Sequence, residues 1–209
     1  MFITFEGPEG SGKSTQINLL ENFLKEINKK FITIREPGGT TLGEEIRKIL
    51  VSSEYDDMSS ETELLLFISS RKELMEKTIK PALKDNQFVL CDRFIDSTIA
   101  YQGYGRGINL NKIQMLNEIA TEGIYPDLTF LLQLDVDSSI ERLKSRYSNS
   151  EQKFDRIEKE NKFFHQKIFD GYNEISKSSD RIIKINAMLP IDKISNIVKD
   201  KILELSASL

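Results

Sequence analysis

Gly7-Pro8-Glu9-Gly10-Ser11-Gly12-Lys13-Ser14 stands near the start of the chain, followed at once by Thr15. Its spacing fits the phosphate-cradling pattern G-x-x-x-x-G-K-[ST] without a gap. Before it lies the short apolar, β-rich run Phe2-Ile3-Thr4-Phe5; after it Ile17, Leu20, Phe23, Leu24 and Ile27 recur at helical spacing. The reading is strand, loop, helix. Glycines let backbone N–H groups turn inward around an anion, and the helix N-terminus adds partial positive charge. Lys13 can reach the β- and γ-phosphates of a nucleotide, and Ser14 can offer its hydroxyl to Mg²⁺. The plainer alternative is a glycine-rich turn that merely starts a helix.

With 209 residues, 39% hydrophobic and 30% charged, the chain suits one α/β domain with an ordinary soluble core. No apolar run of about 18 residues and no charged-then-apolar leader is present, so the expectation is a cytoplasmic protein with no membrane contact. The formal net charge of −4 argues against a nucleic-acid groove. Cys91 is the one cysteine, which excludes an intramolecular disulfide. His165 is the one histidine, which leaves a transition metal without a ligand set.

Apolar strand candidates at 2–5, 31–34, 88–91, 129–134 and 181–185 alternate with periodic helical stretches near 14–28, 42–52, 60–80, 110–122, 138–146, 155–178 and 190–206. That alternation is the βαβ rhythm of a parallel sheet. Turns are expected at 37–39, 103–107 and 126–127. Between Arg146 and Phe154 the chain is polar and lacks apolar anchors, so a surface flap over about 143–157 is expected, the plainer reading being a loop without a role.

Four groups of residues could carry chemistry. The run 88–91 ends in Asp92-Arg93, and ligands of parallel sheets gather at the carboxyl ends of strands. Asp92 could therefore hold Mg²⁺ and Arg93 a phosphate oxygen, with a surface ion pair as the alternative. Phe67 and Arg71 share a helix face, which suits a nucleobase beside a phosphate, although such a pair is more often core and surface. Glu9 brings a carboxylate to a triphosphate loop, so it should face away from the phosphates, toward a sugar hydroxyl or solvent. Arg142, Arg146 and Arg156 bracket the polar flap, where they could supply charge to a moving phosphoryl group or merely cover helix surfaces.

Several separated motifs together resemble the bacterial thymidylate kinase family over nearly the whole chain. They are 5–15 with the phosphate loop, Arg35-Glu36-Pro37-Gly38-Gly39-Thr40 and Phe67-Ile68-Ser69-Ser70-Arg71, followed by Asp92-Arg93-Phe94. Beyond these come Tyr101-Gln102-Gly103-Tyr104-Gly105-Arg106-Gly107, Tyr125-Pro126-Asp127-Leu128 and Asp155-Arg156-Ile157-Glu158. The resemblance implies a P-loop NTPase-type α/β fold, a parallel five-stranded sheet flanked by helices, with a short mobile flap. It implies Mg²⁺-dependent transfer of the γ-phosphoryl of ATP to dTMP, giving dTDP and ADP on the route to dTTP, by a cytoplasmic homodimer. Residues 7–15, namely Gly7, Pro8, Glu9, Gly10, Ser11, Gly12, Lys13, Ser14 and Thr15, would then bind ATP, and Ser14 and Asp92 the metal.

On the acceptor side the resemblance assigns Phe67 to stack on thymine, Arg71 to approach the base and Arg93 to lie near the acceptor phosphate. Glu9 would hold the 3′-hydroxyl, Ser97 and Gln102 would line the nucleoside pocket, and Glu36, Pro37 and Arg47 would belong to the same side. Lys13, Arg93, Arg146 and Arg156 are the implied catalytic residues. In the family the catalytic arginine comes from the phosphate loop or the flap; this loop has none, so the flap is expected to supply it, from among Arg142, Arg146, Lys153 and Arg156. Phe94 stands where relatives usually have Tyr or His. The rivals are a kinase for another nucleoside monophosphate and a GTP-dependent switch; the latter needs N-K-x-D and D-x-x-G, which do not occur in this chain.

Overall fold

Buried parallel strands read as continuous apolar runs because both faces are covered, and strand β1 (Phe2–Glu6) is buried at every position. In the computed structural model, which describes residues 1–148 and 154–207, β1 lies at the centre of a sheet. Its companions are β2 (Phe31–Arg35), β3 (Phe88–Asp92), β4 (Leu128–Gln133) and β5 (Ile182–Asn186). The order is β2-β3-β1-β4-β5, and every pairing is parallel. Phe5 is in register with Asp92 and Glu6 with Leu131, so the carboxyl ends of β1 and β3 finish side by side.

Side-chain alternation divides the core between the two faces. Ile3, Phe5, Leu90 and Phe130 pack with Ile17, Leu20 and Leu24 of α1 (Lys13–Glu26) and with Ile194, Val198 and Ile202 of α9 (Ile191–Ala207). Phe2, Val89 and Cys91 pack with Leu74, Met75, Ile79 and Phe94 on the other face. The remaining helices are α2 (Thr41–Val51), α3 (Ser60–Leu74), α4 (Lys80–Lys84), α5 (Ile95–Thr98), α6 (Leu110–Thr121), α7 (Val136–Ser148) and α8 (Lys162–Ile175).

Three differences from the sequence expectations have physical causes. The helix expected at 60–80 runs through a π-helical turn, Met75–Ile79, before α4, where Pro81 lacks the N–H that a continuous α-helix would need. Helical backbone was not expected at 95–105, but α5 continues into a π-helix at Ile99–Gly105, so the expected turn at 103–107 shrinks to its last residues. The helix expected from 155 begins only at Lys162, capped by the Asn161 side chain accepting from the Phe164 N–H at 3.0 Å. Residues 149–153, the middle of the expected flap and the home of Lys153, lie outside the described residues.

Candidate active site

The phosphate loop links β1 to α1 as expected, with Gly7, Gly10 and Gly12 at positive φ. A Cβ on Gly7 would come within 2.4 Å of the Leu132 carbonyl oxygen, so only glycine fits there. Lys13 folds back over the loop and donates to the carbonyls of Gly7 at 3.1 Å and Pro8 at 3.0 Å. Burial and then the neighbouring Arg93 lower its ammonium pKa, against the pull of Glu9 and Asp92. The Ser11 hydroxyl is buried without a partner. Ser14 Oγ donates to Asp92 Oδ2 at 3.1 Å, so the hydroxyl and carboxylate expected at a cation do meet.

Glu6, at the end of β1, organises the next layer. Its carboxylate accepts from the backbone N–H of Phe94 at 2.8 Å and of Ser97 at 3.2 Å, from Ser97 Oγ at 2.5 Å and from the Tyr172 hydroxyl at 2.9 Å. It thereby caps α5 from the far side of the sequence. Burial, reinforced by Asp96, pushes its carboxyl up to about 7, although the hydrogen bonds from Ser97 and the charge of Arg93 oppose this. Arg93 itself has φ 71°, a left-handed conformation that costs a non-glycine residue on the order of 1 kcal/mol. The carboxylate of Glu6 holds the two amides that follow this bend.

The bend aims the Arg93 guanidinium between the loop and the acceptor side. It donates to the Gly7 carbonyl at 3.0 Å and Ser97 Oγ at 3.2 Å, pairs with Glu9, and lies 5.0 Å from the Tyr101 ring centroid. Burial favours the neutral acid of Glu9, but Arg93 and then Lys13 outweigh it and hold the carboxyl down to about 2. Glu9 is thus an anion in the wall between two pockets.

One pocket is lined by Gly10, Gly12, Lys13, Ser14, Thr15, Asp92 and Arg146. The other, a cleft of about 610 Å³ counting its open mouth, is lined by Pro37, Phe67, Arg71, Phe94, Ser97, Tyr101 and Gln102. Glu9, Glu36, Arg47, Arg93, Asp155 and Glu158 border both. Arg71 is fully buried. Its Nε donates to Glu36 Oε2 at 2.9 Å, its Nη2 to the same oxygen at 2.5 Å, and its Nη1 to Asn117 Oδ1 at 2.6 Å. Burial raises the pKa of Glu36, with Arg71 opposing. Arg47 donates to the Pro37 carbonyl at 3.2 Å.

The arginines around the expected flap separate. Arg146, on the last turn of α7, borders the phosphate-side pocket and pairs with Glu158 at 2.7 Å. Arg142 donates to the Gly10 carbonyl at 3.1 Å, backing the loop from outside. Arg156 is not brought to either pocket: its guanidinium is buried, donating to the Leu50 carbonyl at 3.0 Å and Glu63 Oε2 at 2.6 Å. The catalytic role expected of Arg156 has no support in this geometry, because a carboxylate inside the protein already uses its charge. Sequence reasoning also missed Glu6, Glu63, Tyr101, Asn117 and Tyr172; the one available signal was a carboxylate at the end of an otherwise uncharged, largely apolar strand, a residue type that is rarely buried without a task.

A parallel sheet with the phosphate loop after its central strand, and a second pocket adjoining that loop across a shared arginine, defines a P-loop phosphotransferase with two adjoining pockets. The family model for thymidylate kinase matches residues 5–198, and the chain belongs to the thymidylate kinase family. Among its relatives, a thymidylate kinase of Exiguobacterium is 44% identical over 98% of this chain and 94% of the relative. One of Thermosipho africanus is 46% identical over 93% of each chain. The crystal structure of thymidylate kinase from Ehrlichia chaffeensis superposes with a TM-score of 0.78 at 37% identity, covering 97% of this chain and 98% of that one.

Proposed function

We propose that this protein transfers the γ-phosphoryl of ATP to dTMP, giving dTDP and ADP, within a single nucleoside-monophosphate kinase domain. The observation that carries the reading is Arg93, held in one wall by Glu9, Gly7 and Ser97 and bordering both the loop pocket and the cleft of Phe67 and Arg71. Residues 7–15 bind the donor phosphates. Lys13 leaves the carbonyls of Gly7 and Pro8 for the β- and γ-phosphates, exchanging neutral acceptors for charged ones. Phe67 stacks on the base, Arg71 with Glu36 forms the polar floor, and Glu9 receives the 3′-hydroxyl. Ser97, Gln102, Pro37 and Arg47 complete the acceptor wall. Arg93 approaches the acceptor phosphate, and Arg146 supplies positive charge from the edge of the donor pocket.

The hydroxyl of Ser14 and the carboxylate of Asp92 form a pair of hard oxygen donors beside the loop, which suits Mg²⁺, an ion that takes few protein ligands and the rest from phosphates and water. When bound it would neutralise charge on the β- and γ-phosphates. Leu42 of α2, Leu65 of α3 and Met115 and Ile119 of α6 are each more than half exposed on three neighbouring helices. These exposed apolar side chains support a homodimer, which light scattering would register as a doubled mass. Among the described residues no helix is long and apolar enough to cross a membrane; free nucleotides as substrates suit a cytoplasmic enzyme.

The test is ADP release from ATP and Mg²⁺ with dTMP, dUMP, AMP, GMP and CMP offered in turn. A strong preference for dTMP is expected. Equal turnover of another monophosphate would overturn the acceptor, and ATP turnover indifferent to all of them would overturn the reaction.

A further inference from the structure

Glu63 lies in the first turn of α3, lines neither pocket, and 1% of its surface is exposed. Its carboxylate is nevertheless fully occupied. Oε1 accepts from Gln102 Nε2 at 2.8 Å and Arg106 Nε at 3.2 Å, and Oε2 from Arg106 Nη2 at 3.0 Å and Arg156 Nη2 at 2.6 Å. A carboxylate is stranded at such depth unless paired, and burial alone would raise its pKa; the bonds from Arg106 and Gln102 lower it instead.

The two arginines differ in what else they have. Arg106 also pairs with Glu160, whereas among the described residues Glu63 is the one carboxylate in ion-pair contact with Arg156. Arg156 in turn docks the chain that returns from the expected flap. Its Nε donates to the Leu50 carbonyl at 3.0 Å and its backbone N–H to that of Val51 at 3.2 Å, both at the end of α2. The segment it anchors is closed on itself: Asp155 Oδ1 accepts from the N–H of Ile157 at 2.9 Å and of Glu158 at 2.8 Å. Glu158 then holds Arg146 at 2.7 Å and the Tyr147 hydroxyl at 2.8 Å.

We propose that Glu63 is a positioning residue for phosphoryl transfer, tying the anchor of Arg146 to the acceptor wall at Gln102 through one buried negative charge. Gln102 is oriented directly, and Arg146 through Arg156 and Glu158. This assignment rests on the kinase reading given above. Removing the charge leaves Arg106 its second partner but leaves Arg156 a buried cation with none, so the segment 154–160 is the part that loosens.

The test compares Glu63→Gln, Arg156→Met and the double variant. Hydrogen exchange of the nucleotide-free protein is expected to quicken about tenfold or more at 154–160 in each variant, with β1, β3 and β4 unchanged. In Glu63→Gln, kcat should fall at least about tenfold and KM for dTMP rise, while KM for ATP stays within about twofold. Arg156→Met, in which Glu63 still holds Gln102, should lose kcat alike but keep its KM for dTMP. The double variant should be no worse than Glu63→Gln. Unchanged exchange at 154–160, losses that multiply in the double variant, or a kcat that merely follows melting temperature would each overturn the proposal. If Glu63→Gln does not fold, Arg156→Met decides alone, by the same exchange and kcat readouts. Because exchange is read without substrate, it judges the anchor whichever monophosphate the enzyme takes.

Discussion

The loop pocket and the neighbouring cleft hold their cations in opposite ways. Lys13 rests on two neutral carbonyls five and six residues away in its own loop. Arg71 is locked on a carboxylate 35 residues away and an amide 46 residues away, with 1% of its surface exposed. A cation on neutral acceptors can move to a phosphate at little cost, whereas one inside a buried ion pair cannot leave without stranding its partner. The loop end is therefore built to exchange ligands, and the cleft to keep its shape; under the proposed function, selectivity belongs to the end that does not yield.

The largest effect should come from the exchangeable cation. Lys13→Ala is expected to lower kcat on the order of 10⁴-fold, with unfolding by denaturant within about 1 kcal/mol of the parent, since no buried charge is left alone. A fully active, folded variant would break the comparison at once. The locked cation should behave the other way. Arg71→Met is expected to cost about 3–4 kcal/mol of stability, because Glu36 would remain buried and unpaired; a Glu36→Gln change in the same chain should restore part of it.

Glu6 sharpens the comparison through pH. Its folded pKa is raised from 4.5 to about 7, so the folded state binds that proton more tightly than the unfolded one. Its contribution to stability is complete below pH 4.5 and is lost as pH rises through about 7, a change of about 3 kcal/mol. Glu9 works in the other direction, its contribution present above pH 4.5 and lost as pH falls toward about 2, so the two windows do not overlap. Glu6→Gln should flatten the upper window in denaturant titrations from pH 4.5 to 8; an unaltered slope would remove Glu6 as its source. The smallest effect is reserved for Phe67→Ala. Loss of the ring should raise KM for dTMP about tenfold, corresponding to about 1.4 kcal/mol, and leave KM for ATP unchanged.

The same contrast explains what could be read from residue order. The loop, its flanking strand and helix, and the meeting of Ser14 with Asp92 all follow from spacing and from the rule that ligands gather at strand ends. Phe67 and Arg71 do share a face. The helical stretch from Ile95 to Gly105 escaped because Gly103-Tyr104-Gly105-Arg106-Gly107 reads as a turn, and its start is capped by Glu6, some 88 residues distant, rather than by a neighbour. Arg156 looked like a reactive flap arginine for a similar reason: nothing near it in the chain announces Glu63, 93 residues away.

Residue order was sufficient for the phosphate loop of this protein, because glycines that free the backbone, a lysine at fixed spacing and a short apolar strand act on groups within a few bonds or one helical turn. The polar wall of the neighbouring cleft came from folding. Whether an arginine faces a substrate or a buried carboxylate depends on which charge the packed chain carries to it, and a charge withdrawn from water must be matched by whatever segment the topology lays beside it. Glu36 and Glu63 are those matches, and each of them joins elements that no local pattern connects.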